Sequence, residues 1–334
     1  MKAVVTTRYG SPSDVLRLSE IATPAPAADE VLIRLYAASV NPLDSFTIRG
    51  PLFFFPRLGR VLKPKQIVAG ADIAGRVESV GRDLNRFAPG DEVFGASFRG
   101  NGLGGFAEYA CAREDSLALK PSNLSFEEAA AVPVAALTAL QGLRDQGQIQ
   151  SGKKVAIDGA SGGVGTFAVQ IAKSFGAEVT AVCSSRNVER ARMLGADYVI
   201  DYSREDFTRS GLRYDLILGA NAHHSIFDYW RALSRDGIFV LAGGGLARIF
   251  QAMCLAPLLS RIGRKKVRFF IARVNGKDLN LLRDLLEAGK IAPVIDRRYP
   301  LEDVAEALRY REEGHAQGKV VITIQHDKGV ERRL

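Results

Sequence analysis

The residues best suited to chemistry lie in K-K-V-A-I-D-G-A-S-G-G-V-G-T-F-A-V-Q-I-A-K, residues 153–173. An apolar run of strand character enters a glycine-rich turn, and a run with helical periodicity leaves it. Gly162 lets the backbone approach a pyrophosphate, and Gly165 lets the helix pack closely on the strand. A phosphate at the head of such a helix meets N–H groups without intrahelical acceptors and the positive end of the helix dipole. The run departs from G-x-G-x-x-G at its first position, which is Ala160. The next strand ends A-V-C-S-S-R-N, where folds that prefer NAD carry an acid for the ribose hydroxyls. Ser184, Ser185 and Arg186 stand there instead, and no acid follows until Glu189. Hydroxyls and a forked guanidinium suit a 2′-phosphate, so the expected cofactor is NADPH.

No comparable pattern exists for a metal. Cys111, Cys183 and Cys254 lie far apart, His223 and His224 are adjacent, and His315 and His326 are remote. None of these has ligand spacing, and the thiols read as free in a reducing compartment. The beginning M-K-A-V-V-T-T-R-Y-G lacks the apolar core of a signal peptide, and no apolar run reaches membrane-spanning length. A cytoplasmic protein without a membrane span is expected. The formal charge of +8 suits an anionic cofactor. It leaves open an NADPH-binding sensor or RNA-binding protein with little or no turnover. No aromatic–basic ribonucleoprotein motif is present, so no nucleic-acid partner is expected.

These residues need elements to hold them, and 334 residues, 47% hydrophobic and 25% charged, suffice for two globular domains. Short strands at residues 2–7, 30–38, 73–81 and 91–96, separated by glycine and proline turns, predict a barrel-like β domain. From a Ser125 N-cap, with Glu127 and Glu128 in the first turn, one helix is predicted. Strands at 154–158, 178–184, 198–200, 214–218 and 238–242 then alternate with helices at 164–175, 188–194 and 204–209. That alternation predicts a doubly wound parallel sheet. A strand at 265–274, helices at 277–288 and 301–313 and a strand at 320–324 follow. The expected domains are 1–124, completed by 290–334, and 125–289. Residues 50–66, with three consecutive phenylalanines, either wall an apolar pocket or cover the barrel end. Residues 246–266 read as an apolar helix that runs into a basic cluster at 261–268, placed at a dimer interface, lining a cleft or attached to a membrane surface. The polar end, 327–334, is expected to fray.

Further motifs stand in order around the glycine turn: A-S-V-N-P-L-D from Ala38, G-A-D-I-A-G-R-V-E-S-V-G from Gly70, F-A-P-G-D-E-V-F-G from Phe87 and G-G-F-A-E-Y from Gly104. L-G-A-D-Y-V-I-D-Y from Leu194 and G-K-V-V-I-T-I near the end continue the series. In these motifs the chain resembles the zinc-independent medium-chain dehydrogenase/reductases, the quinone oxidoreductase-like family. The resemblance implies an α/β fold: a GroES-like β-barrel domain interrupted by a Rossmann doubly wound parallel-sheet domain, with the cofactor in the cleft. It also implies a homodimer, with residues 265–274 as the joining edge strand.

By the same resemblance Asn41 and Asp44 lie beside the nicotinamide and shape the substrate pocket, and Asn41 donates to the substrate oxygen. Thr138 faces the nicotinamide ribose or amide. Ser161, Gly162, Gly163 and Val164 hold the pyrophosphate. Ser184, Arg186 and Tyr202 surround the 2′-phosphate, and Asn221 and Lys319 reach the cofactor. Zinc-dependent relatives need a cysteine where this chain has Asn41 and G-H-E where it has G-A-D, so no catalytic zinc is expected. Without a metal to polarise an alcohol, hydride transfer to an electron-poor enone or quinone carbon is the easier reaction. Many relatives carry a tyrosine, a candidate proton donor, at the place of Phe46, which stacks but cannot donate. The expected activity is NADPH-dependent reduction of an enone, quinone or aldehyde, with the proton from water or another group.

Overall fold

A computed structural model describes residues 1–50, 66–97, 103–259 and 263–326. Most of the phenylalanine-rich segment, the start of the basic cluster and the polar C-terminal end lie outside the described residues. The chain forms two units, Met1–Val134 with Val274–Glu287 and Ile295–Leu334, and Ala135–Arg273 with Ala288–Val294.

The first unit opens with β1 (Lys2–Thr6), α1 (Pro12–Val15), β2 (Arg17–Glu20), β3 (Glu30–Ser39), α2 (Pro42–Arg49), β4 (Ile67–Val68) and β5 (Asp72–Val80). It continues through β6 (Glu92–Ala96), β7 (Tyr109–Arg113), β8 (Leu117–Leu119) and α3 (Phe126–Ala130). The ten residues of β3 are buried at all but two positions, because β3 is paired on both edges. One edge pairs with β5 along its length; the other pairs with β7 at Glu30–Arg34 and with a C-terminal strand at Ala37–Ser39. Ile33, Leu35, Ile48, Ile73, Phe106 and Leu117 form the core around it.

The second unit contains most of α4 (Pro133–Gln141), then β9 (Lys154–Asp158), α5 (Gly163–Ser174), β10 (Glu178–Cys183), α6 (Val188–Met193) and β11 (Tyr198–Asp201). It is completed by β12 (Tyr214–Gly219), α7 (Ile226–Ala232), β13 (Leu233–Leu241), α8 (Leu246–Leu259) and β14 (Lys266–Phe269). Its six strands are all parallel, in the order β11-β10-β9-β12-β13-β14. The order reverses between β9 and β12, the place where ligands settle in doubly wound sheets. The chain then returns to the first unit as α9 (Gly276–Glu287), β15 (Ile295–Pro300), α10 (Val304–Glu312) and β16 (Lys319–Thr323), and β16 pairs with β3.

The predicted α/β architecture is thus found, with local differences. The helix from Ser125 is two helices. Ser125 caps α3 by accepting the Glu128 N–H at 3.2 Å, but Pro133 disfavours helical backbone before it and starts α4 afresh. Residues 204–209 form turns, because the carboxylates of Asp201 and Asp206 capture the N–H groups of Ser203 and Thr208 at 3.0 and 2.9 Å. The strand expected at 265–274 is only β14. The division between units also differs from 124 and 289. Helix α3 packs on β3 and β5, and α9 packs on β8, so both belong to the first unit. Residues 288–294 stay with the second, where Gln170 donates to Ala292 O at 2.9 Å and accepts its N–H at 2.8 Å.

A Cβ at Gly75, midway along β5, would lie 2.1 Å from Arg34 O and 2.8 Å from an Ile33 methyl. Gly75→Ala therefore forces the β3–β5 pair apart, and denaturant unfolding is expected to show a loss of about 2–3 kcal/mol or more.

Candidate functional site

The first cluster of site residues surrounds the end of β9. Gly159 follows Asp158 in a left-handed conformation, φ +84°, and a Cβ there would stand 2.8 Å from the Asn221 Cβ. The tight turn is thus made by Gly159, one residue ahead of Ala160, which stands at the first position of the motif. Gly162 is the N-cap of α5, and its missing Cβ would meet only Gly159 O, at 3.7 Å. Gly165 differs: a Cβ would lie 2.1 Å from Gly159 O, so the helix rests directly on the turn. Ser161, Gly162, Gly163 and Val164 are partly exposed, whereas the helix is buried from Gly165 to Ala172. Open space over Gly162 and the unpaired first-turn N–H groups of α5 fit a pyrophosphate. Beneath the turn, burial pushes the Asp158 carboxyl up, and the Tyr229 hydroxyl at 2.5 Å pulls against that shift. Asn221 is exposed, in the loop after β12.

Ser184, Arg186 and Tyr202 meet at the ends of β10 and β11, where the Tyr202 N–H donates to Cys183 O at 3.0 Å. Arg186 is exposed and Tyr202 is 56% exposed. Ser184 Oγ accepts from Asn187 Nδ2 at 3.0 Å. Asp201 joins this corner, a residue the sequence reading passed over as a strand end. It accepts Ser185 Oγ at 2.5 Å and Ser203 Oγ at 2.7 Å, and lies 3.4 Å from Arg204. The two hydroxyls hold its carboxyl below the usual range.

The second cluster lies in the first unit and is buried. Asp72 Oδ2 accepts Ser39 Oγ at 2.8 Å, Asn41 Nδ2 at 2.9 Å and Lys319 Nζ at 3.1 Å, and Oδ1 accepts the Val134 N–H at 2.9 Å. Lys319 also donates to Asn41 Oδ1 at 2.7 Å and Val40 O at 3.3 Å. Asp44 accepts the N–H groups of Asn41 at 2.7 Å and Ala71 at 3.0 Å. Burial pushes the Asp44 carboxyl up to about 7, with the Asp72 charge adding to it, against the pull of those N–H groups and of Lys319.

Two expectations change here. Both amide hydrogens of Asn41 are committed, to Asp72 and to Ser39 O at 3.3 Å, so none remains for a substrate oxygen. Lys319 is buried with all three hydrogens in use, so its ammonium does not reach a cofactor. Phe46 is partly buried on α2, and Thr138 is buried on α4. The hub, Asp72, was not among the predicted site residues. Its signal was a lone acid in the apolar G-A-D-I-A-G, matched by a lone base in G-K-V-V-I. Among the described residues no group of three or more His, Cys, Asp or Glu could hold a metal ion.

Residues 27–122 match the family model described as alcohol dehydrogenase GroES-like domain, and residues 194–322 match one described as zinc-binding dehydrogenase. The 2-methylene-furan-3-one reductase of Solanum lycopersicum is 37% identical, across 96% of this chain and 79% of the relative. The chloroplastic NADPH-dependent alkenal/one oxidoreductase of Arabidopsis thaliana is 34% identical, with the same two coverages. Among solved structures, the quinone oxidoreductase from Coxiella burnetii superposes with a TM-score of 0.84 at 30% identity, covering 97% of this chain and 99% of that one.

Lys319→Met leaves Asp72 buried without its counter-charge, and a loss of about 3–5 kcal/mol in unfolding free energy is expected. Asp44 titrates upward in the native state, from 3.8 to about 7. The folded chain thus holds a proton the unfolded chain has lost, and this contribution is full below pH 3.8 and disappears as pH rises through about 7. In Asp44→Asn the stability–pH curve is expected to be flatter across that window than in the parent, as measured by unfolding at a series of pH values.

Proposed function

This chain belongs to the medium-chain dehydrogenase/reductase family, among its quinone oxidoreductase-like members, and on that premise we propose that it is a metal-independent, NADPH-dependent reductase of an α,β-unsaturated carbonyl or quinone. One observation carries the reading: a main-chain phosphate cradle at the strand-order reversal, next to a corner bearing Arg186, Ser184 and Tyr202. NADPH, when bound, supplies the hydride. The head of α5, from Ser161 to Val164, binds its pyrophosphate, and the Arg186 corner takes the 2′-phosphate. Thr138 and Asn221 orient the nicotinamide half.

Asn41 and Asp44 act by fixing the start of α2, whose Phe46 walls the substrate pocket. Neither Phe46 nor the committed Asn41 amide donates a proton, so the product takes its proton from water or another group. Zinc does not fit this donor set. Asn41 and Ala71 replace two ligands, and the Lys319 ammonium already occupies Asn41 Oδ1, where a second cation would be repelled.

The alkenal/one and furanone in the relatives' names support the substrate class. A homodimer through β14 is proposed, since β14 ends the parallel sheet with one edge unpaired among the described strands. No helix among the described residues is long and apolar enough to cross a membrane. Cys111 and Cys183 are buried and form no disulfide, which suits the cytoplasm.

Titration with NADPH and NADH, followed by turnover against a panel of quinones and alkenals, tests the proposal. NADPH is expected to bind about tenfold or more tightly than NADH, Arg186→Ser to remove most of that preference, and at least one substrate to consume NADPH in zinc-free protein. Preference for NADH overturns the cofactor assignment. Tight NADPH binding without turnover across the panel favours the sensor reading instead.

A further inference from the structure

The loops leaving β9 and β12 flank the strand-order reversal of the parallel sheet, and one buried residue, Asp158, ties them together. Its carbonyl accepts the N–H groups of Ala220 at 2.9 Å and Asn221 at 3.2 Å. Its carboxylate accepts the Tyr229 hydroxyl at 2.5 Å, and the same phenol oxygen accepts the N–H groups of His223 at 3.1 Å and His224 at 3.4 Å. The phenol is held independently of the loop. Tyr229 is fully buried on α7 and stacks on Phe239 with ring centres 4.1 Å apart and planes 7° apart. The result sets Asn221 against Gly159, the first residue of the phosphate-binding turn.

We infer that Asp158 and Tyr229 are positioning residues that clamp the 220–224 loop onto the glycine turn and so set the affinity for the dinucleotide. A role in packing alone would not call for this chemistry. An apolar pair of similar shape would fill the space without burying a carboxylate. Ala222, in the middle of the loop, donates its N–H to Gly243 O at 3.0 Å, and the next two main-chain N–H groups, of His223 and His224, are received by the phenol oxygen. The relay N–H to phenol to carboxylate also polarises each bond in turn. The affinity part of the inference rests on the NADPH reading; the clamp itself does not.

Tyr229→Phe removes the phenol oxygen and keeps the ring stack, whereas Asp158→Asn keeps an oxygen acceptor for the phenol. In cofactor-free protein, amide exchange at His223 and His224 is expected to quicken about tenfold in Tyr229→Phe and to stay near the parent rate in Asp158→Asn, with the β9 and β10 amides unchanged in both. The Kd for NADPH is expected to rise about tenfold in Tyr229→Phe and less than about threefold in Asp158→Asn, with kcat at saturating NADPH within about twofold of the parent. Unchanged exchange at His223 and His224, or an unchanged Kd in folded Tyr229→Phe, overturns the inference. If Tyr229→Phe does not fold, Asp158→Ala, which deprives the phenol of its acceptor, is judged by the same criteria. If the parent binds no dinucleotide, the functional reading falls, and the exchange rates alone decide whether the clamp exists.

Discussion

A lysine and an aspartate 247 residues apart share a hydrogen bond in the dry interior of the first unit, and much of that unit follows from it. Neither charge is tolerable there alone, so the C-terminal strand β16 must return beside β3 and bring Lys319 to Asp72. Asn41 is caught between them, donating one amide hydrogen to Asp72 and the other to Ser39 O while its carbonyl accepts from Lys319. Its N–H is in turn held by Asp44 at the start of α2, the helix that carries Phe46. Residues that would be read as catalytic by motif alone thereby hold one another and the start of α2.

The second unit solves its problem with backbone instead of charge. Gly159 turns where a side chain would be strained, and Gly165 lets α5 sit on the turn. The first-turn N–H groups then face open space with no side chain needed. In the proposed function, discrimination is left to the polar corner at the ends of β10 and β11. The Asp201 carboxylate there is occupied by Ser185, Ser203 and Arg204, which blunts the repulsion it would offer a phosphate. On the proposed reading the work is divided: main chain grips the dinucleotide, side chains select it, and the Asp158–Tyr229 pair keeps the neighbouring loop in register with both.

The strands of the parallel sheet, the glycine turn and the Ser125 cap were all legible in the amino-acid order. Each depends on residues within a turn or two of one another: apolar period, glycine at a turn, a hydroxyl ahead of a helix. The same locality explains the misreadings at 204–209 and at Pro133. Helical spacing was present at 204–209, but the aspartate side chains compete for the N–H groups a helix would use.

What only the tertiary structure decided was partnership. Nothing near Asn41 announces that both its amide hydrogens are committed, and nothing near Lys319 says that its ammonium is buried rather than directed at a cofactor. Asp158 likewise reads as a strand end until Tyr229 arrives from α7, 71 residues along the chain. Periodicity along the chain specifies which face of an element is buried. Hydrogen-bond saturation depends on atoms brought together from distant segments, and only the folded chain determines which polar groups remain available for chemistry.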